Sequence, residues 1–431
     1  MIMMNFSEIY KTILTYVNDL DIIDTHEHLA SSEEKRNLNT DFLTDFLSHY
    51  LSSDLISAGL TQDEFKTISD RSLPVGERWK LVEPHWQNCR YTGYGRAVSR
   101  ILEDLYGFRD IDSSNISDIN EFYLKTHRKG YFREILKEKS KIKISILDNW
   151  DNIIPDPEFF VLALHINRLI LPEDPQIIRE YEKETGIIVN CFEDWLSLVN
   201  KYIKTKMVNG CKIMKCSLAY ERSIEFTDAL RENAESEFNT AIAKVKGNSG
   251  NILFSKEKTV KFQDFMMHYI LRIASRNNIA VQIHTGLQEG NGNDLRNSNP
   301  LLLTKLFMKY PDVDFDLFHI SYPYFMEAGV LAKNFPNVFL DMCWAHIISP
   351  NASVNALLEW IDTVPLNKIS AFGGDYLFVE GVYGHQAMAR ENVSKALAIK
   401  VVEGIFNIDK AKKIAKMMFF DNPNNIFKLG L

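Results

Sequence analysis

DIIDTHEH (Asp21–His28) is the stretch on which the reading of this chain turns. The β-branched pair Ile22 and Ile23 favours an extended backbone, and two histidines follow with one residue between them. On a strand, residues i and i+2 point to the same side, so His26 and His28 can reach one cation together. Three more short apolar runs end in a residue that binds metals. They are IAVQIHTG (Ile279–Gly286), VDFDLFHIS (Val313–Ser321) and KISAFGGD (Lys368–Asp375), and they deliver His284, His319 and Asp375. A single histidine at a strand end is ordinarily a hydrogen-bonded polar residue. Four imidazoles and a carboxylate at the ends of successive strands, with helix-sized gaps between them, describe a metal site. A parallel (β/α)8 barrel collects its chemistry at that end, because all eight strand-to-helix loops open there. The common structural zinc patterns are excluded, since they need cysteine pairs at short spacing.

The other strands follow from the same pattern. KIKISILDNW (Lys141–Trp150), FFVLALHINRLI (Phe159–Ile170), GCKIMKCSLAYER (Gly210–Arg222) and NVFLDMCW (Asn337–Trp344) read as strands 2, 3, 4 and 7. A helix at about Phe6–Leu20 precedes strand 1. Residues 29–140 are too many for one strand-to-helix loop, which usually takes roughly 2–6 residues. Apolar residues there recur every three or four positions, as in TDFLTDFLSHYLSSDLISAGL (Thr40–Leu60) and EPHWQNCRYTGYGRAVSRILEDLYGF (Glu83–Phe108). This spacing predicts a helical insertion folded over the barrel mouth. A long polar, helical segment is expected from Glu221 to about Asn278, and QEGNGNDLRNSNP after strand 5 is a Gly/Asn-rich loop. With no fixed-period repeat, low-complexity tract or Pro-rich linker, the expectation is one α/β domain over residues 1–431. It is a (β/α)8 TIM barrel with a helical insertion at about 29–140.

This order of ligands resembles the amidohydrolase superfamily of metal-dependent TIM-barrel enzymes, and most of all its amidohydrolase-2 branch, which includes uronate-isomerase-like proteins. In that superfamily HxH ends strand 1, single histidines end strands 5 and 6, and an aspartate ends strand 8. The resemblance therefore implies His26, His28, His284, His319 and Asp375 as metal ligands. Many members also carry a carboxylated lysine on strand 4 that bridges two metals. Here Lys215, rather than Lys212, is the expected match. Burying a charged lysine is costly, which favours a neutral or modified amine. Uronate isomerases lack this lysine and carry a TDSR-type loop after strand 8, where this chain has GGDYLFVEGVYGHQAMARENV.

Composition agrees with a soluble enzyme. The chain has 431 residues, and about 250 suffice for a plain barrel. A net charge of −8, from 49 basic and 57 acidic residues, argues against nucleic acid or an anionic membrane as partner. Five cysteines without a CxxC pair suit a reducing compartment. The N-terminal MIMMNFSEIYKTILTYVNDLD reads as an amphipathic helix rather than a signal peptide. No apolar run reaches the ~20 residues of a membrane span. A cytoplasmic location and a small-molecule substrate are expected, with homo-oligomer formation left open.

The ligand types suit Zn²⁺ first, with Mn²⁺ and Fe²⁺ behind it, at one or two ions per chain. Asp375 is the expected proton acceptor, with His319 as ligand or electrophile. In the insertion, HWQNCRYTGYGR (His85–Arg96) mixes aromatics with guanidinium groups. Trp86, Arg90 and Tyr94 share one face if that stretch is a single helix, and Arg90 would suit a substrate carboxylate. Arg168, Arg222, Trp344 and Tyr376 are further candidates for substrate contact. His49, His127, His165 and His268 read as packing residues, whereas His85 and His385 fall in stretches expected near the mouth. The expected activity is metal-dependent hydrolysis of an amide, ester or lactone in a small, carboxylate-bearing substrate. The alternatives are a uronate-type aldose–ketose isomerase and a non-catalytic metabolite-binding barrel.

Overall fold

The computed structural model describes residues 5–246 and 254–431. Residues 1–4 of the N-terminal stretch, and 247–253 within the polar segment expected after strand 4, lie outside the described residues. Eight strands run in sequence order around one sheet, every neighbouring pair parallel. They are β1 (Ile22–Glu27), β2 (Ile142–Leu147), β3 (Phe160–His165), β4 (Ile213–Cys216), β5 (Ala280–Ile283), β6 (Phe315–Leu317), β7 (Val338–Asp341) and β8 (Ile369–Ser370). Backbone bonds from Thr25 to Phe372 (3.0 Å), from Asp375 to His26 (2.8 Å) and from His28 to Tyr376 (3.1 Å) bring the last segment against the first. The strands are shorter than the apolar runs suggest. Phe159–Ile170, for instance, is strand only to His165, and Asn167–Ile170 turns into a short helix.

Helix α1 (Phe6–Asp19) starts at a capping box, with Asn5 and Glu8 each bonding the other's backbone N–H. It buries Ile9, Ile13 and Val17, spaced at four residues along one face. Between β1 and β2 lie six α-helices, besides short 3-10 and π-helical pieces: α2 (Phe42–Ser48), α3 (Tyr50–Ser57), α4 (Gln62–Ser69), α5 (Val75–Cys89), α6 (Gly93–Ile101) and α7 (Ile116–Leu124). They form the helical insertion, and its α2–α3 junction reaches the barrel mouth. The opposite end of the barrel is closed by the chain's last residues. Ile426 and Phe427 pack on Ile213 and Ala280, which start β4 and β5, and on Ile146 and Ala163 within β2 and β3. Among the described residues no helix is long and apolar enough to cross a membrane, and all five cysteines are free.

Candidate metal centre

The ends of β1, β5, β6 and β8 bring the ligand-type side chains together. His26 Nε2 and His28 Nε2 lie 3.3 Å apart. Asp375 Oδ1 stands 3.5 Å from the first and 3.3 Å from the second. Lys215 Nζ is 3.2 Å from His26 Nε2, and Lys215 is buried. On the other side, His319 Nε2 faces His284 Nδ1 at 3.0 Å. Lys212 is exposed and donates to the Lys428 carbonyl, so of the two strand-4 lysines only Lys215 stands among these groups.

Backbone carbonyls fix the ring orientations. His28 Nδ1 lies 2.7 Å from the Asp148 carbonyl, His319 Nδ1 3.0 Å from that of Cys343, and His284 Nε2 2.9 Å from that of Leu287. A carbonyl accepts, so each of these nitrogens carries the hydrogen, and the opposite nitrogen presents a lone pair. His284 Nδ1 and His319 Nε2 thus present lone pairs to each other at 3.0 Å, and His28 Nε2 stands 3.3 Å from the Asp375 carboxylate. Lone pairs in van der Waals contact without a shared proton are satisfied by a cation. These residues therefore fit a divalent metal, with the orienting hydrogen bonds that metal-binding histidines make.

The charge states agree. Burial, reinforced by Lys215, pushes His26 well below the ordinary imidazole range. Burial and the neighbouring His319 do the same to His284. His319 is lowered to about 4, chiefly by burial. Burial would raise Asp375, but the His28 hydrogen bond and the His26 charge outweigh it and hold the carboxyl well below its usual range. Burial opposes charge on His28, yet the adjacent Asp375 raises it. His26, His284 and His319 are thus neutral beside an ionised carboxylate, the forms a metal needs, while Asp375 favours the charged form of His28.

The backbone at these loops is unusual. His319, Trp344 and Asp375 have φ of 65°, 60° and 61°, the left-handed region that non-glycine residues rarely occupy. Such strain persists where the surrounding structure over-determines it, and it clusters at functional sites. Gly374 shows how tightly the Asp375 loop is set. A Cβ there would meet Glu27 Oε1 at 1.7 Å. The Tyr376 N–H donates to the other oxygen of that carboxylate at 2.8 Å.

A cavity of about 420 Å³ opens over the centre, lined by His28, Lys215, His284 and Asp375. The walls also include His49, Tyr50, Asp148, Trp150, His165, Asn167, Arg168, Ser217 and Tyr220. Trp150 stacks on His28 with ring centroids 4.5 Å apart, and the Tyr50 hydroxyl donates to the Asp375 carbonyl. Neither contact is legible in sequence. Asp148 could have been found, since it follows strand 2 as the candidate ligands follow theirs. His49 and His165, read from sequence as packing residues, both face the cavity.

The expected substrate residues divide. Arg168 lines the cavity and pairs with Asp151 at 3.0 Å. Tyr94 is buried and stacks on Tyr50, and Trp344 packs edge-on to His319. Tyr376 is buried beside Asp375. Among them only Arg168 is a lining residue; Trp86, Arg90 and Arg222, like Tyr94, Trp344 and Tyr376, stand outside the cavity lining. Trp86 is fully buried with its indole N–H on Asp110, and Arg90 pairs with the same carboxylate at 2.6 Å. Arg222 is held by Asp264 at 2.7 Å and Gln263 at 3.0 Å. The stretch from Trp86 to Tyr94 is not one helix. α5 ends at Cys89, and Thr92 caps α6 by accepting from the Gly95 N–H, so the shared face is broken. His85 bonds the Ala58 carbonyl, and His268 bonds Tyr310 and the Thr227 carbonyl. His127 packs on Tyr123. His385 sits beneath the site with Nδ1 3.0 Å from the Gly374 carbonyl.

Comparison with known proteins gives a consistent picture. A family model described as Amidohydrolase matches residues 214–429. Protein fluG of Emericella nidulans is 35% identical over 154 residues, which are 36% of this chain and 18% of that protein. A uronate isomerase of Corynebacterium efficiens is 31% identical over 117 residues, 26% of this chain and 25% of its own length. The chain thus spans at most about a quarter of the curated relatives it matches. Among solved structures, glucuronate isomerase from Caulobacter crescentus superposes with a TM-score of 0.77 at 18% identity, covering 99% of this chain and 95% of that one.

Proposed function

The chain belongs to the amidohydrolase family, and from that premise we propose that it is a metal-dependent hydrolase. Its substrate class is a small, carboxylate-bearing amide, ester or lactone. The observation that carries this reading is the convergence of His26, His28, His284, His319, Lys215 and Asp375 beneath one cavity. A divalent ion bound there, zinc first by donor type, would supply an activated water at neutral pH. His26, His28 and Asp375 would hold one ion. His284 and His319 offer donors for a second, with Lys215 between if its amine is carboxylated.

The protein's own groups do the rest. Asp375 is ionised and stands 3.3 Å from His28, suited to take a proton from the nucleophile and hold it. Arg168 is the guanidinium among the lining residues, and its planar fork suits a substrate carboxylate. Trp150 and Tyr220 wall the cavity with aromatic surface.

A second reading has its own support. The glucuronate isomerase from Caulobacter crescentus shares the fold across nearly the whole chain, insertion included. An aldose–ketose isomerase acting on a uronate would use the same carboxylate to move a proton between carbons. Against it stands the β8 loop GGDYLF, which brings no guanidinium to the site. One experiment separates the two. Purified protein loaded with zinc or manganese is offered N-acyl amino acids, lactones and uronates, and the products are identified by mass and NMR. Release of acid and amine or alcohol supports the hydrolase, whereas a ketose of unchanged mass supports the isomerase. No turnover of any of these by fully metallated protein would sink both and leave a binding role.

A further inference from the structure

Asp148 and His165 form a pair in the cavity wall, and the Asp148 carboxylate also lies within 4.8 Å of the His26 and His28 donor nitrogens. Asp148 follows β2 and His165 ends β3, so two neighbouring parallel strands put their ends side by side. His165 Nδ1 lies 3.0 and 2.9 Å from the two carboxylate oxygens of Asp148. Asp148 is 1% exposed, and its carboxylate has no other hydrogen-bonded side chain among the described residues. The backbone of His165 is clamped as well, by Asn152 on both its N–H (2.7 Å) and its carbonyl (3.1 Å).

This fixes the ring. A carboxylate only accepts, so Nδ1 carries the hydrogen and Nε2 is left to exchange a proton. Nε2 points toward Ser217 Oγ at 3.5 Å. Ser217 Oγ in turn accepts from Asn167 Nδ2 at 3.0 Å. All four of these residues line the cavity, as Asp375 does. A carboxylate-oriented imidazole with its outer nitrogen facing a substrate-sized space is the arrangement of a general acid or base.

We propose that His165, oriented by Asp148, is a second acid–base group of this cavity and protonates the departing heteroatom of the substrate. The inference rests on the hydrolase reading. As the C–N or C–O bond breaks, its electron pair goes to the leaving atom, which takes the Nε2 proton of the imidazolium. Asp375 holds the proton lost by the attacking water. Solvent then reprotonates His165 and receives the proton from Asp375, so the cycle closes. The competing role is purely structural, because the Asp148 carbonyl also holds His28 Nδ1 at 2.7 Å.

The test uses metal-loaded protein and esters that share one acyl group but carry either p-nitrophenolate or an alkoxide as leaving group. His165→Ala should lose on the order of 10²–10⁴-fold in kcat on the alkyl ester and little on the p-nitrophenyl ester, whose leaving group needs no proton. Added imidazole should restore part of the alkyl-ester rate, and metal content should stay constant. Equal losses on both esters, no rescue, or loss of metal would make the pair structural and overturn the inference. Nitrogen-15 histidine NMR gives a readout that needs no substrate. His165 should be the Nδ1–H tautomer, and Asp148→Asn should abolish that preference. An Nε2–H tautomer in the parent protein overturns the inference whatever the activity. If the substrate screen finds isomerisation instead, the hydrolase reading falls alone. Imidazole-rescued loss of that reaction in His165→Ala would still carry the acid–base role. A protein that turns over neither class overturns both.

Discussion

His284 Nδ1 and His319 Nε2 face each other at 3.0 Å while the outer nitrogen of each ring is committed to a backbone carbonyl. Without a cation, two lone pairs are pressed together in a buried site, and only protonation of one ring relieves the contact. Divalent metal should therefore bind the folded protein and raise its melting temperature. At a free concentration 100 times Kd the gain is about 2.7 kcal/mol. Elemental analysis and thermal melts with and without a chelator measure it. His284→Ala should reduce bound metal and remove much of the metal-dependent rise. Equal metal content in that variant would show that the pair is not a ligand set.

Arg168 and Arg90 separate two ideas about substrate binding. Arg168 lines the cavity, whereas Arg90 is spent on Asp110 in the insertion. Losing a charge-assisted hydrogen bond to a ligand costs about 1.5–3 kcal/mol. Arg168→Ala should therefore raise KM on an acidic substrate roughly ten- to a hundredfold with metal content unchanged. Arg90→Ala should leave KM alone, and a half-exposed pair such as Arg90–Asp110 is worth at most about 1 kcal/mol of stability. Steady-state kinetics of the two variants on one substrate decide the matter.

Gly374 lets the Glu27 carboxylate pass directly beneath the Asp375 loop. A methyl group there would overlap Glu27 Oε1, the tip of a fully buried side chain whose other oxygen is held by the Tyr376 N–H. Gly374→Ala should destabilise the fold by about 1–3 kcal/mol, as overpacking does. It should also lower metal affinity, because the displaced loop carries Asp375. Thermal melts and metal titration of the variant would show both effects. A variant with parental melting temperature and affinity would mean that the loop adapts.

His346 gives a pH dependence that does not involve the metal. It is fully buried, with Nε2 2.9 Å from the Ala371 carbonyl. Burial lowers it from 6.5 to about 4. The unfolded chain binds a proton as pH falls below about 6.5, whereas the folded chain resists until about 4. Its stabilising contribution is thus full above pH 6.5 and is lost progressively between about 6.5 and 4, amounting to roughly 3 kcal/mol. Denaturant melts of chelated protein at pH 7 and 5 should show a smaller acid loss for His346→Asn than for the parent. An identical loss would assign the acid sensitivity to other groups.

The amino-acid sequence by itself determined the barrel and most of its candidate metal donors. Short apolar runs ending in His26, His28, His284, His319 and Asp375 recur with helix-sized gaps, and parallel strands buried on both faces need that apolar character. Local patterning also gave α1, whose buried face of Ile9, Ile13 and Val17 follows helical spacing. Tertiary structure decided what lies between the donors and around them. Which lysine enters the site depends on how β4 is rotated, and that rotation buries Lys215 and exposes Lys212. His49 and Tyr50 reach the cavity only because the α2–α3 junction folds back over the mouth, some 325 residues before Asp375 in the chain. His165 becomes an acid–base candidate only because β2 and β3 are neighbours, and Arg90 leaves the site because the chain turns at Thr92. Each of these depends on contacts between residues distant in sequence, where local periodicity carries no information.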